Sequence, residues 1–293
     1  KEYKDNLTDA RLGINFTQQE LENLDKIFLP HVKEQGQSIH HAFINNENSI
    51  MCSEKEIYHL IDIGALTVKN IDLPRKIRLR QSSKRKTYYK IDKTKFVVDQ
   101  CYLEGRKYVD FKKFIEENFD TNITQIDTVE GIKGGKVLLT IHFVNCCFML
   151  AFLREHNDAQ SVIDVFNYLE ELFGIETFKE LFPVILTDNG SEFSNPKEIE
   201  YSHLTVEQRT KVFFCESGCS NQKGSCEVNH EMFRRILEKK TSFDNLTQED
   251  INLMMSHINS YKRKKLNNSS ALEMFNLMYG NDIAVKLNIL EIS

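Results

Sequence analysis

No apolar run in this 293-residue chain is long enough to cross a bilayer as a helix. The nearest is VLLTIHFVNCCFMLAFL, residues 137–153, which is 17 residues long against the roughly 20 that a spanning helix needs. It also carries Thr140, His142 and Asn145, each costly in hydrocarbon. A pair of buried strands turning near Asn145 is predicted instead, with no membrane partner. The first residues lack the basic-then-apolar pattern of a secretory signal. Seven cysteines, an odd number without framework spacing, exclude a disulfide scaffold and predict reduced thiols in a cytoplasmic setting. Acid is missing locally as well. From Arg75 to Lys90 the chain reads RKIRLRQSSKRKTYYK, with eight Lys or Arg and no Asp or Glu.

Against a net charge of −5, that block predicts a local contact with a polyanion. Arg75, Lys76, Arg78, Arg80, Lys84, Arg85 and Lys86 are its candidate contacts, and a solvated tether is the alternative. Otherwise the composition, 41% hydrophobic and 28% charged, is that of a globular protein with a real core. The length suits about two domains. The chain opens on Lys1 rather than Met, so a longer parent protein is expected.

Residues 1–70 read as a small helical domain. Thr17 with Glu20, and Ser53 with Glu56, have capping-box spacing before apolar stripes, and Gly64 is a natural stop. SIHHAFINN between them makes a third short helix. Three such helices suggest a helix-turn-helix-like DNA-binding unit, in which Lys55, Tyr58 and His59 would face the groove, or else plain packing. Residues 71–104 form a basic linker or arm.

From residue 105 the texture changes. FKKFIEENF is a short amphipathic helix, and NITQIDTVEGI a strand followed by a Gly134-Gly135 hairpin signal. Strands at 137–144 and 147–153 follow. DAQSVIDVFNYLEELFG is a helix by its Val162, Val165, Phe166, Leu169 and Phe173 stripe. Then come the strand VILT, the strand KVFF and a helix from about 222 to 239. The order β-β-β-α-β-α-β-α is that of a mixed five-stranded α/β sheet of ribonuclease-H-like type, covering residues 105–245. A C-terminal helical extension occupies 246–293.

Asp188, before Asn189-Gly190, is a turn residue by local statistics alone. The predicted order makes the first and fourth strands neighbours, which sets Asp127 beside Asp188 and lets the next helix lay Glu227 across them. Three adjacent carboxylates repel one another unless cations lie between them. Two Mg²⁺ or Mn²⁺ ions would resolve that repulsion and suit in-line phosphodiester displacement. Glu227, His230, Glu231 and Arg234 share one helical face, opposite Met232, Phe233, Ile236 and Leu237.

The stretches QIDTVEGIKGGK, VILTDNGSEFSNP and QKGSCEVNHEMFRRIL, with the lead-in NIDLPRKIR, resemble the DDE transposases of the insertion-sequence-thirty family, relatives of retroviral integrases. The resemblance runs from about residue 16 to 280. It implies a catalytic set of Asp127, Asp188, Glu227 and Arg234, with the three carboxylates as metal ligands. It implies DNA cleavage and strand transfer at insertion-sequence ends. The partners would be terminal inverted repeats and target DNA, with a homo-oligomer assembled at the bacterial nucleoid. It also implies a further DNA-binding region upstream of this chain. Lys223 and Arg234 are DNA-contact candidates. The chain departs from the family in CESGCSN, where Asp-Pro and small residues are usual, and at Ala271, where proline is common. A hydrolytic nuclease of the same fold and a non-catalytic DNA-binding regulator are the alternative functions.

Other features have quieter readings. Cys215, Cys219, Cys226 and His230 lack the tight pairs of a structural zinc site, and buried or surface thiols are the default. His142 reads as a core histidine and Glu192 as a loop residue near the site. Lys262, Arg263, Lys264 and Lys265 are either helix C-terminal charges or a phosphate grip.

If the basic block holds phosphates, alanine at Lys84, Arg85 and Lys86 should lower the salt slope of DNA affinity by roughly 0.9 per lost contact. Binding isotherms at several salt concentrations measure it, and an unchanged slope makes the block a tether.

Overall fold

The computed structural model describes residues 16–73, 101–216, 219–238 and 240–292, without the side chains of residues 220, 221 and 225–228. The seven basic candidates between Arg75 and Lys86 lie outside these residues. The chain forms two compact units, Lys1–Thr87 and Tyr88–Ser293.

In the first unit, helices α1 (Gln18–Leu29), α2 (Ile39–Asn45) and α3 (Glu54–Asp62) close over Leu24, Phe28, Ile39, Ala42, Ile57 and Leu60. Thr17 and Glu20 make the full reciprocal capping box, whereas Ser53 caps α3 from one side only. Gly64 stops α3 at φ +77°, a backbone angle that costs glycine nothing. Asp25 ties the far end down by accepting from the Thr67 amide at 2.9 Å and its hydroxyl at 2.7 Å. Lys55 and His59 are exposed on α3, while Tyr58 leans on the core. The α2–α3 connection, residues 46–53, is longer than the roughly three- or four-residue turn of a standard helix-turn-helix.

The second unit is built on a mixed sheet of order β3-β2-β1-β4-β5. Its strands are β1 (Ile123–Glu130), β2 (Val137–Phe143), β3 (Phe148–Arg154), β4 (Val184–Thr187) and β5 (Val212–Phe214). This is the ribonuclease-H-like arrangement. The apolar run at 137–153 is the β2–β3 hairpin, and no described helix is long and apolar enough to cross a membrane. The left-handed residue of that turn is Cys147 (φ 58°), two positions beyond the predicted Asn145.

Helix α4 (Tyr108–Glu117) precedes β1 and packs with Phe213 through Phe111 and Phe114. Helix α5 (Ala159–Phe173), capped by Asp158 and stopped at Gly174, buries Val162, Phe166 and Leu169, and α6 (Ile175–Leu181) follows it. The short α7 (Pro196–Glu200) precedes β5. Arg209 and Glu170, both almost fully buried, form an ion pair at 2.5 Å that clamps α5 to the approach to β5.

Helix α8 (Gly224–Ile236) is shorter than the predicted 222–239, because residues 220–223 form a 3-10 turn. Phe233 is its buried anchor, but Ile236 is 45% exposed, so the apolar face is narrower than the sequence suggests. Beyond it, α9 (Gln248–Ser260), α10 (Ala271–Tyr279) and α11 (Asn281–Lys286) contribute Ile251, Met255, Ile258, Leu272, Phe275 and Ala284 to the core of the sheet. Asn259 and Gln248 on α9 reach the outer edge of β3. Asn259 accepts from the Met149 amide at 2.9 Å and donates to its carbonyl at 2.7 Å. Gln248 does the same for the Leu153 amide (2.8 Å) and the Ala151 carbonyl (2.9 Å).

A buried polar knot ties α8 to the sheet and to the chain after α9. Asn229 donates to Nδ1 of His142 at 2.7 Å and to the Cys147 carbonyl at 3.2 Å. Its own oxygen accepts from Arg263 at 2.9 Å. Arg263 also donates to the carbonyls of Cys147 and Ile258, so its guanidinium serves the fold and not a phosphate backbone. Lys262 pairs with Glu273, while Lys264 and Lys265 are exposed.

Burial, reinforced by the charge of Arg263, pushes the His142 pKa down from 6.5 to about 3. The fold therefore holds a neutral ring, whereas the unfolded chain takes a proton near the ordinary value. The resulting stability is complete above pH 6.5 and is lost as the pH falls through about 3. His142→Gln should therefore flatten the fall of unfolding free energy between those two values, whatever it costs at neutral pH. Urea titrations across that range test this. An unaltered slope would mean that the folded ring is charged.

Candidate functional site

β1 and β4 run parallel with Ile123 opposite Val184, Thr124 opposite Ile185 and Gln125 opposite Leu186. That offset of 61 residues also separates Asp127 from Asp188. Carried two residues further, the register sets both aspartates level on one face of the sheet. Asp127 is held by the Thr128 amide, 3.0 Å from Oδ1, and Asp188 by the Gly190 amide, 3.3 Å from Oδ1. Asn189 turns the loop aside by donating to the Cys215 carbonyl at 2.9 Å. The side chain of Asp127 is 27% exposed and that of Asp188 52%, so a solute can reach both.

The ammonium of Lys223 sits between them, 3.3 Å from Asp127 Oδ1 and 3.9 Å from Asp188 Oδ2, on a side chain only 9% exposed. Proposed from sequence as a DNA contact, Lys223 is placed as the shared counter-ion of the carboxylates. One cation between two carboxylates offsets their mutual repulsion.

Helix α8 crosses the same face. His230 Nδ1 lies 3.6 Å from Asp127 Oδ2, and Nε2 lies 2.9 Å from the hydroxyl of Thr140. Thr140 is opposite Asp127 in the β1–β2 register and donates to its carbonyl at 3.0 Å. Residue 227 is one turn before His230 on α8, and its side chain lies outside the described residues, as does that of Cys226. Arg234, one turn after His230, donates to the Glu130 carbonyl at 3.0 Å and so ties α8 to the end of β1. Burial lowers the Arg234 pKa from its ordinary value. Its Nη1 is buried with no hydrogen-bond partner among the described residues.

Arg154 was not singled out from sequence. It is 3% exposed at the end of β3 and donates to Thr128 Oγ1 at 2.9 Å, next to Asp127. Glu192 folds back over Gly190, where an added Cβ would lie 2.4 Å from its carboxylate. Cys215 is a buried thiol whose pKa burial pushes up to about 11. Among the described residues no group of three or more His, Cys, Asp or Glu forms a ready-made metal cage. Two carboxylates sharing one cation are nonetheless a hard oxygen donor pair of the kind that Mg²⁺ and Mn²⁺ take.

Lys223→Met should lower stability in metal-free buffer by about 1–3 kcal/mol, between the exposed and buried limits for an ion pair. The loss should shrink when Asp127→Asn is already present. A double-mutant cycle by urea denaturation measures the coupling, and equal losses in both backgrounds would separate Lys223 from the aspartates.

No family profile matches the chain. It is 24% identical over 250 residues to "Probable transposase for insertion-like sequence element IS1161" of Streptococcus salivarius, covering 85% of this chain and 66% of that protein. It is 34% identical over 91 residues to "Putative integrase ORF3" of Spiroplasma virus SpV1-R8A2 B, covering 31% and 27%. It is 27% identical over 94 residues to "Transposase for insertion sequence element IS1086" of Cupriavidus metallidurans, covering 32% and 26%. The chain thus spans between 26% and 66% of the length of these relatives. A chain in the solved simian T-cell lymphotropic virus intasome, in complex with PP2A regulatory subunit B56 gamma, overlays 52% of this chain at 14% identity. It matches over 53% of its own length with a TM-score of 0.41, which carries no weight beside the strand order. Over most of its length this chain is similar to an insertion-sequence transposase, and over about a third of it to a viral integrase.

Proposed function

We propose that this chain carries the catalytic core of a transposase of the insertion-sequence-thirty type, cutting DNA at element ends and joining the cut end to a target. The observation that carries the reading is the level pair Asp127 and Asp188 gathered around one cation, with α8 laid across their face. The similarity to a transposase over 85% of the chain supports it.

In this reading Asp127, Asp188 and Glu227 hold two Mg²⁺ or Mn²⁺ ions. When bound, such ions activate the attacking oxygen and stabilise the leaving oxygen of an in-line displacement at phosphorus. The protein's own work is to fix the ligands. The Thr128 and Gly190 amides hold one oxygen of each aspartate, and the tie of Arg234 to Glu130 holds the helix that brings Glu227. In cleavage, water attacks phosphorus and the strand leaves through its 3′ oxygen. In joining, that 3′ hydroxyl attacks a target phosphate and displaces another 3′ oxygen, so bond energy is conserved and no external energy source is needed. The DNA would be held by the basic block from Arg75 to Lys86 and by Lys55, Tyr58 and His59. As copies of one chain would act on two element ends, a homo-oligomer on DNA follows.

Asp127→Asn, Asp188→Asn and Glu227→Gln each keep shape while removing one charge that holds the ions. Losing about 4 kcal/mol of transition-state stabilisation slows chemistry roughly a thousandfold. Each variant should still retard end-containing DNA in a gel, yet neither nick nor join it with Mg²⁺ or Mn²⁺. Near-normal joining by any one of them removes that residue from the catalytic set. Nicks without joined products from the unaltered chain would make it a nuclease.

A further inference from the structure

His230 stands against the carboxylates with no part in the chemistry set out above. Its contact with Thr140 sets which nitrogen carries the proton when the ring is neutral. Thr140 has a single hydroxyl proton, and it donates that proton to the backbone carbonyl of Asp127 at 3.0 Å, a group that can only accept. At the 2.9 Å contact between the same hydroxyl oxygen and His230 Nε2, the ring must therefore be the donor. In the neutral ring this puts the lone pair on Nδ1, the nitrogen 3.6 Å from Asp127 Oδ2. Thr140 thus fixes the tautomer and orientation of the ring, as an outer-shell partner does for a metal-bound histidine. The arrangement is set by the backbone, since Thr140 is opposite Asp127 in the strand register and α8 carries His230 over both.

We propose that His230 is a nitrogen ligand, through Nδ1, to the divalent cation held by Asp127. The inference rests on the metal reading of the carboxylates and adds to it a donor that is not an oxygen. Two ligands about 2.0–2.2 Å from one ion and at right angles to each other are about 3 Å apart. The observed 3.6 Å closes to that spacing with a small rotation of either side chain. The ring is only 17% exposed, so little freedom is lost in holding it there. A site of carboxylates alone suits Mg²⁺, whereas an imidazole shifts preference towards a transition metal. The site should therefore favour Mn²⁺ over Mg²⁺ more strongly than three carboxylates would.

The test needs neither DNA nor turnover. Mn²⁺ is titrated into the full chain, and its binding and nitrogen coupling are read by continuous-wave and pulsed electron paramagnetic resonance. The wild type should show a directly bound ¹⁴N, which changes to the ¹⁵N pattern on isotopic labelling. His230→Gln, checked for an unaltered circular dichroism spectrum, should lose the coupling. It should also bind Mn²⁺ at least about tenfold more weakly, the loss that removing an outer-shell partner alone commonly brings, with a smaller change for Mg²⁺. Thr140→Val keeps the ring but removes its acceptor, and should weaken Mn²⁺ binding while the coupling persists. Mn²⁺ bound without nitrogen coupling, or coupling that survives His230→Gln, overturns the ligand assignment and leaves the carboxylate reading standing. No Mn²⁺ binding by the wild type, or binding indifferent to Asp127→Asn, overturns both.

Discussion

Parallel pairing of β1 with β4 forces two carboxylates 61 residues apart in the chain onto one level of one sheet face. Backbone hydrogen bonds set that register, and side-chain alternation leaves it no slack, since a slip of one residue would turn Asp127 to the opposite face. The first consequence at the site follows from it, and the second from the antiparallel pairing of β1 with β2. Negative charge is concentrated where it must be neutralised, and the antiparallel partner β2 brings Thr140 level with Asp127. Lys223 and His230 then approach from chain segments that the sheet itself does not contain.

The helix that completes the face is held by polar contacts as well as by an apolar anchor. Phe233 anchors it in the core, but Asn229 sets its rotation through His142 and Cys147 on the hairpin and Arg263 beyond α9. Buried amide and imidazole groups are costly unless satisfied, so this knot tolerates few alternative helix positions. It also makes the chain after α9 part of the site's scaffold, as Arg263 donates both to Asn229 and to the turn that carries Cys147.

Strand order, the hairpin in place of a membrane span, the Asp158 and Gly174 boundaries of α5 and the level pair of aspartates were all legible in the sequence. Each depends on local periodicity, turn chemistry or element order, which survive in one dimension. Lys223, Arg263 and Ile236 were not, because their environments are set by which element crosses which. A lysine before a helix reads as a surface cation until a second carboxylate is known to lie beside the first. An arginine in KRKK reads as solvated until Asn229 and two carbonyls surround its head. Ile236 reads as core by spacing, yet α8 ends there and leaves it exposed. Arg154 carried no sequence signal, since its burial depends on Thr128 from a strand two places away in the sheet.

The carboxamides of Asn259 and Gln248 occupy the hydrogen-bonding positions that a further strand would take along β3. At the other margin, the outward amides of Val212 and Phe214 are taken by the Glu200 carboxylate and the Arg106 carbonyl. Among the described residues, both margins of the sheet are thus partly covered by its own side chains and loops. A partner that meets these margins therefore meets side chains, whose complementarity can be altered one residue at a time, where a bare backbone ladder would accept almost any sequence.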